Sequence, residues 1–471
     1  MIKKYPYLLF CLIQLLMGSW VIAAPILLDS GVQVLAFPGA EGFGKYATGG
    51  RGGVIFRVTQ LGDSGVGSFR EAAESNKTRV IVFAVSGTIH LKKKVTIKGN
   101  VTIAGQTAPG EGVCIADQSV SLGGDNMIVR YMRFRMGDQF QLPLKVNGNG
   151  GDDALGGTRK KNIVIDHCSI SWSTDECFSV YAGDSTTLQW NLIAEPLNYS
   201  VHFEEGDADF EKHGYGAIWG GAHLSAHHNL FAHCKSRTPR FDGIRNTPNE
   251  LVDFRNNVIY NWGNNNIYAG EGGNYNLVNN YFKYGPGTET ALRYQIANPG
   301  KNSTIGYGKW YVSGNYVDEA ADITKDNSAG IRFSGTLWET KSKILMQEPH
   351  PVISIATETA AEAYTRVLIG VGASYRRDTL DQRILQNVIS RTGKFIDVQG
   401  GFPHGTPYEI SQSAWPTIKT DQPAKDTDQD GIPDNWEISK GLNPTDASDA
   451  SLFTLDKLIS NIELYINSIT P

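Results

Sequence analysis

The chain has 471 residues and a formal net charge of −5, with 41% hydrophobic residues, 19% charged residues and 52 glycines. That length can bury one large core with a small appendage, and so mild a charge excludes a general nucleic-acid or membrane-surface binder, which needs a broad basic face. Abundant glycine with few long helical periodicities points to β structure with tight corners.

At the start, Lys3 and Lys4 precede the apolar run YLLFCLIQLLMGSWVIAA, which ends in small residues. The pattern predicts a signal peptide over 1–23, cut between Ala23 and Ala24, and a secreted chain without membrane insertion. The run is short for a retained anchor, and Cys11 lacks the preceding small residue expected of a lipidation site. The remaining cysteines, Cys114, Cys168, Cys177 and Cys234, match no zinc spacing; they read as buried small hydrophobes, with one disulfide left open.

GSFREAAESN reads as a short helix with Ser68 as its cap, a plug over the first open coil of a solenoid. From about residue 30 to 317 the chain repeats one theme, a short β-branched run closed by Asn, Gly or Asp, as in RVIVFAV, KNIVIDHCSISW, LVDFRNNVIYNW and WYVSGNYV. Asn191, Asn229, Asn257, Asn280 and Asn315 recur at gaps of 38, 28, 23 and 35 residues. Such spacing belongs to stacked coils rather than hairpins. It predicts an all-β, right-handed parallel β-helix, with apolar columns inside and each Asn hydrogen-bonded to its counterpart on the next coil. The uneven gaps are loops on one side, where a cleft forms.

Beyond the coils, AAEAYTRVLIGVGAS and RRDTLDQRILQNVISRTG turn helical, and Leu380, Ile384, Leu385, Val388 and Ile389 fall on one helical face. The β-helix domain with this extension spans 24–412, and the polar stretch 413–425 reads as a linker. In the module over 426–471, DTDQDGIPDNWE places Asp426, Asp428, Asp430, Asp434 and Glu437 at positions 1, 3, 5, 9 and 12, with Gly431 at the turn and the Ile432 carbonyl at position 7. This is an EF-hand-like calcium loop with a structural role.

Four stretches carry the chemistry: GDDALGG, STDECFS, EKHGYGAIWGG and AHCKSRTPRFDG. In a solenoid, residues one coil apart become neighbours at about 4.8 Å. Asp152, Asp153, Asp175 and Glu176 so stacked must share a proton or bind a hard cation, and oxygen clusters suit calcium; Asp152 alone reads equally well as a turn cap. Lys212, Arg237 and Arg240 lie in the next coils and suit an anionic polymer bearing carboxylates, while Lys235 reads as solvated. Trp219, Tyr215 and His223 are either stacking platforms for sugar rings or core aromatics.

The stretches AFPGAEGFGKYATGGRGGVIFRVTQL, VIVFAVSGTI with VTIAGQ, IVIDHCSISWSTDE, HHNLF, and SRTPRF followed by NNVIYNW resemble polysaccharide lyase family 1, the pectate lyases, over roughly residues 36–320. The terminal acidic loop is similar to calcium modules, of thrombospondin-type-3 character, appended to some secreted members. The resemblance implies a secreted, monomeric enzyme acting on acidic plant cell-wall polysaccharide, polygalacturonate or pectin, by calcium-dependent β-elimination. It implies Arg237 as the base at C5, or as the stabiliser of an enolate formed by hydroxide. Asp153 and Asp175 match calcium-ligand positions, joined by Asp152 and Glu176, and Lys212 or His213 matches the substrate-binding lysine, with Arg240 and Trp219 as further substrate contacts. Two positions depart from the family pattern: Ser179 stands where a second carboxylate is common, and Asp242 where a second arginine is common, leaving Glu176 and Arg240 to compensate. A polygalacturonase-type hydrolase would use the paired carboxylates as acid and base but leaves Arg237 idle. A non-catalytic polysaccharide-binding β-helix needs the aromatics and cations but no base beside a metal.

Overall fold

A computed structural model describes residues 33–141, 152–333 and 338–470; the leader read over 1–23, with Cys11, lies outside the described residues. The chain winds as a parallel β-helix, each coil giving one strand to each of three sheets. The first sheet begins at Val54–Val58 and Arg79–Phe83, the second at Gly87–His90 and the third at Val95–Ile97, and successive strands within each pair in parallel. The 12-residue strand Phe178–Gln189 runs unbroken from the third sheet into the first. The predicted right-handed parallel β-helix is therefore the observed fold.

Its interior is built from the inward residue of each strand. In the first sheet Ile81, Ile103, Val129, Ile165, Leu188, Ala226, Phe254 and Leu277 stand in register from coil to coil, and all are completely buried. The second sheet stacks Ile89, Ile115, Phe134, Ile170, Ile193, Phe231, Ile259 and Phe282 likewise. Each such side chain contributes about 1.5–3 kcal/mol by leaving water, so the columns fix the register on which the cleft depends.

The asparagine spacing reports a hydrogen-bonded ladder at the corner between the first and second sheets. Asn229 Oδ1 accepts from Asn191 N and Nδ2 at 2.9 and 3.0 Å. Asn257, Asn280 and Asn315 repeat the pattern, and Asn327 ends it. Every ladder amide from Asn191 to Asn315 is completely buried, and the chain of partners removes the penalty that burial imposes. Trp190, His228, Asn256 and Asn279, which precede the first four ladder residues, take left-handed backbone, φ 53–57°, to turn the corner.

Helix Phe69–Glu74 is capped by Ser68 Oγ, which accepts from Glu71 N at 3.2 Å, and it buries Phe69, Ala72 and Ala73 against the first coil as expected. Helices Ala360–Gly370 and Thr379–Ser390 cover the outer face of the second sheet through Val367, Leu380, Ile384, Leu385 and Val388. Ile389, expected on that face, is exposed. Buried Arg135 pairs with Asp378 and Asp381 to fasten the start of the second helix. The stretch read as a linker is packed in its first part: Trp415 and Ile418 are buried, and Trp415 Nε1 donates to Arg135 O. The module after it shares a core with the first coils, Ile432, Ala450, Ile462 and Ile466 meeting Val80, Val82 and Ala104. The four described cysteines are buried and form no disulfide.

Candidate active site

The cleft lies along the entry to the third sheet, and strand register assembles it. Leu155 pairs with Phe178, which sets Asp152 beside Asp175 and Asp153 beside Glu176 on adjacent coils. Asp175 N donates to Asp152 O and Glu176 N to Asp153 Oδ1. Glu176 bridges on to Tyr215, and Tyr215 to Ser236, which brings Arg237 in two coils later. A groove of about 440 Å³ borders this row, lined by Asp152, Asp153, Gly156, Lys160, Asp175 and Tyr181 among others. A Cβ at Gly156 would lie 2.8 Å from Asp153 Oδ2 and so displace that carboxylate.

One oxygen each from Asp153, Asp175 and Glu176 lie within 4.8 Å of one another. Loss of solvation and the Asp175 charge push the Asp153 carboxyl well above the usual carboxylate range. Burial pushes Asp175 the same way, but the His213 ring overrides it and holds the carboxyl low. An all-oxygen set in which the Asp175 charge raises the proton affinity of Asp153 fits a hard cation. Asp152, expected among these ligands, lies outside the cluster: Lys94 and Gln141 take its carboxylate. Ser179, in the third-sheet strand on the coil of Asp175, is buried and accepts from Ile218 N.

Arg237 adopts φ 60°, a left-handed conformation that turns its side chain into the cleft ahead of the cis Thr238–Pro239 bond. Its guanidinium ion-pairs with buried Glu176, donates from Nε to Tyr268 Oη at 3.2 Å and lies over the Tyr215 ring at 4.4 Å. Tyr215 in turn packs tilted against His213 at 3.7 Å and His213 stacks on His202 at 3.8 Å, completing a row of four planar groups. Tyr268 and His202 carried no signal in the sequence, since nothing local marks a residue that meets the site only through coil stacking.

The other expected substrate contacts separate. Lys212 is exposed on the cleft-side loop, its ammonium 5.6 Å from the Tyr199 ring, and Arg240 is partly exposed on the third sheet between Ile218 and Tyr268. His213 is buried with Nε2 2.7 Å from Asp175 Oδ1, facing the acidic cluster. Trp219 is completely buried among Phe178, Phe231 and Phe254 and cannot meet a polymer. His223 pairs with Asp184. Asp242 is buried and bonded to Asn246, and burial raises its carboxyl, so no cation stands there.

A second acidic group lies in the terminal module. Asp426, Asp428 and Asp430 converge, as do Asp430, Glu437 and Asp449. Glu437 is completely buried with neither carboxylate oxygen hydrogen-bonded, and one oxygen each of Asp426, Asp428, Asp430 and Asp449 is buried and unbonded too. Burial and mutual repulsion push Asp430 up to about 7 and Glu437 up to about 8. Gly431, at φ 94°, makes the turn. Asp434, expected as a ligand, is instead bonded to Thr427 and Lys425. Asp449 takes its place in the cluster from a loop outside the twelve-residue pattern.

No family model matches the chain. Over 93% of its length it is 34% identical to the "Probable pectate lyase C" of Neosartorya fischeri and 35% identical to that of Aspergillus fumigatus, covering 94% of each. Among solved structures it is similar to the cedar pollen allergen jun a 1, with a TM-score of 0.48 at 17% identity, over 70% of this chain and 92% of that one. On the identity and coverage shared with the two fungal proteins, the chain belongs to the pectate lyase family.

Proposed function

We propose that this polysaccharide lyase cleaves polygalacturonate by calcium-dependent β-elimination, with Arg237 at the reacting carbon. The observation that carries the reading is the convergence of Asp153, Asp175 and Glu176 beside the guanidinium of Arg237. These three carboxylates would hold the ion. Calcium bound there would supply positive charge to the uronate carboxylate and so acidify the C5 proton. Arg237, in its neutral form, takes that proton, the C5–H electron pair becomes the C4–C5 double bond, and the C4 oxygen leaves with the electrons of its bond and is protonated by water.

A guanidinium is almost wholly protonated near neutral pH, so turnover rises towards alkaline pH. Glu176 is common to the oxygen cluster and to the Arg237 ion pair; charge drawn into the cluster is charge withdrawn from the guanidinium. Tyr215 and Tyr268 keep Arg237 aimed into the cleft while that happens. Lys212 and Arg240 would meet further uronate carboxylates along the polymer, a role for which bidentate arginine is apt.

In the same reading Asp426, Asp428, Asp430, Glu437 and Asp449 hold a second, structural calcium, the leader over 1–23 exports the chain, and the protein acts as a monomer. The direct test measures product absorbance on polygalacturonate with calcium and with a chelator. Calcium-dependent ultraviolet absorbance from an unsaturated uronide is expected; new reducing ends without absorbance would mean hydrolysis and overturn the reading.

A further inference from the structure

We propose a transition-metal site on the cleft wall, formed by His202, His213 and Asp175 and taking a divalent ion of the zinc class. It is separate from the oxygen cluster in donor chemistry and shares one ligand with it.

Its scaffold is an antiparallel hairpin inserted between the second and third sheets. Tyr199 bridges Lys212, Glu211 N donates to His202 O at 3.0 Å and His213 N to Asn198 O at 2.6 Å. This pairing carries His202 and His213 side by side, 3% and 5% exposed, with ring centroids 3.8 Å apart. His213 Nδ1 and both ring nitrogens of His202 are buried without a hydrogen bond; His213 Nε2 lies 2.7 Å from Asp175 Oδ1, and His202 Nε2 stands 3.6 and 3.9 Å from oxygens of Glu204 and Glu211. Two adjacent imidazoles that deep ordinarily find donors or acceptors, so the orphaned nitrogens point to a missing partner. One atom each of His202, His213 and Asp175 lie within 4.8 Å of one another, and His202 forms a second such group with Glu204 and Glu211.

Charge argues the same way. The segment joining the arms, FEEGDADFE, holds Glu204, Glu205, Asp207, Asp209 and Glu211. Of these, Glu204 and Glu211 close on His202 Nε2, and carboxylates gathered beside a cleft for an anionic polymer favour a cation among them. Calcium takes oxygen ligands, whereas imidazole with carboxylate suits zinc and its neighbours. The rings are 22° from parallel, so one must turn to aim both lone pairs at a single ion. That turn breaks no well-formed hydrogen bond, and metal bonds replace the 2.7 Å contact of His213 Nε2 with Asp175.

The experiment adds Co2+ to full-length protein kept in millimolar calcium and records the visible d–d bands, then displaces the ion with Zn2+. One equivalent should bind, and His202→Gln and His213→Gln should each weaken binding roughly tenfold or more. No bands, or bands of unchanged affinity in both variants, overturn the site. Should a variant fail to fold, X-ray absorption of the zinc-loaded wild type counts imidazole ligands: two uphold the proposal, one or none refutes it. Because Asp175 is common to both clusters, zinc should also raise the calcium needed for turnover. That consequence alone rests on the lyase reading, and the bands and the imidazole count do not.

Discussion

The Arg237 guanidinium lies over the Tyr215 ring at 4.4 Å, and Tyr215 is held from behind by His213. A cation over an aromatic face gains about 0.5–2 kcal/mol, and here the gain is directional, because the ring holds the guanidinium beside Glu176. Tyr215 is therefore a positioning residue. Tyr215→Leu should fold with an unchanged thermal midpoint yet lose roughly tenfold or more in kcat, and Tyr215→Phe should restore most of it. Steady-state kinetics on polygalacturonate check this, and equal rates for all three proteins would remove the role.

Asp152 and Asp153 are adjacent in sequence but differ in partners, Asp152 being held by Lys94 and Asp153 facing Asp175 and Glu176. Asp153→Asn should raise the half-maximal calcium concentration for turnover by roughly tenfold or more, and Asp152→Asn should raise it far less. Calcium titrations of initial rate separate the two; a larger effect from Asp152 would place the ion elsewhere.

Much of the fold and site is legible in the sequence wherever one coil repeats another. The spacing of Asn191, Asn229, Asn257, Asn280 and Asn315 marks a ladder because each amide meets its equivalent one coil on. The pairing of GDDA with STDE is readable for the same reason. Side-chain direction and loops of uneven length are not. Trp219 points inward from a strand whose neighbours point outward, and alternation alone does not say which face is the cleft. Asp434 and Asp449 exchange roles because the chain beyond Glu437 folds back over the loop, a return that no twelve-residue pattern contains.

Glu437, Asp430 and Asp449 are buried acids in a module that shares its core with Val80, Val82 and Ala104 of the first coils. Uncompensated buried carboxylates are costly, so removing calcium should loosen the module and expose those coils. A chelator should lower the thermal midpoint and open the chain to proteolysis near residue 425, and Asp449→Ala should reproduce both effects in excess calcium. A midpoint indifferent to both would mean the acids are satisfied without an ion.

His233 joins the second sheet to helix Thr379–Ser390, lying between the side chains of Asn261 and Asn387. Burial pushes its pKa from 6.5 down to about 4. The unfolded chain therefore binds more protons across that interval, and stability rises with pH: it is complete above about 6.5 and drains away as pH falls towards 4. The loss is on the order of 3 kcal/mol. Denaturant unfolding at pH 7 and pH 5 should show the drop, and His233→Gln should flatten it; an unchanged slope in the variant would assign the acid sensitivity to other groups.

The central claim is that Arg237 takes the C5 proton beside calcium held by Asp153, Asp175 and Glu176. The most direct measurement is the rate of ultraviolet-absorbing product from polygalacturonate by Arg237→Lys in saturating calcium, alongside calorimetric calcium binding by the same variant. The expected result is that nearly all turnover is lost while calcium and polymer still bind. Wild-type turnover in Arg237→Lys would contradict it.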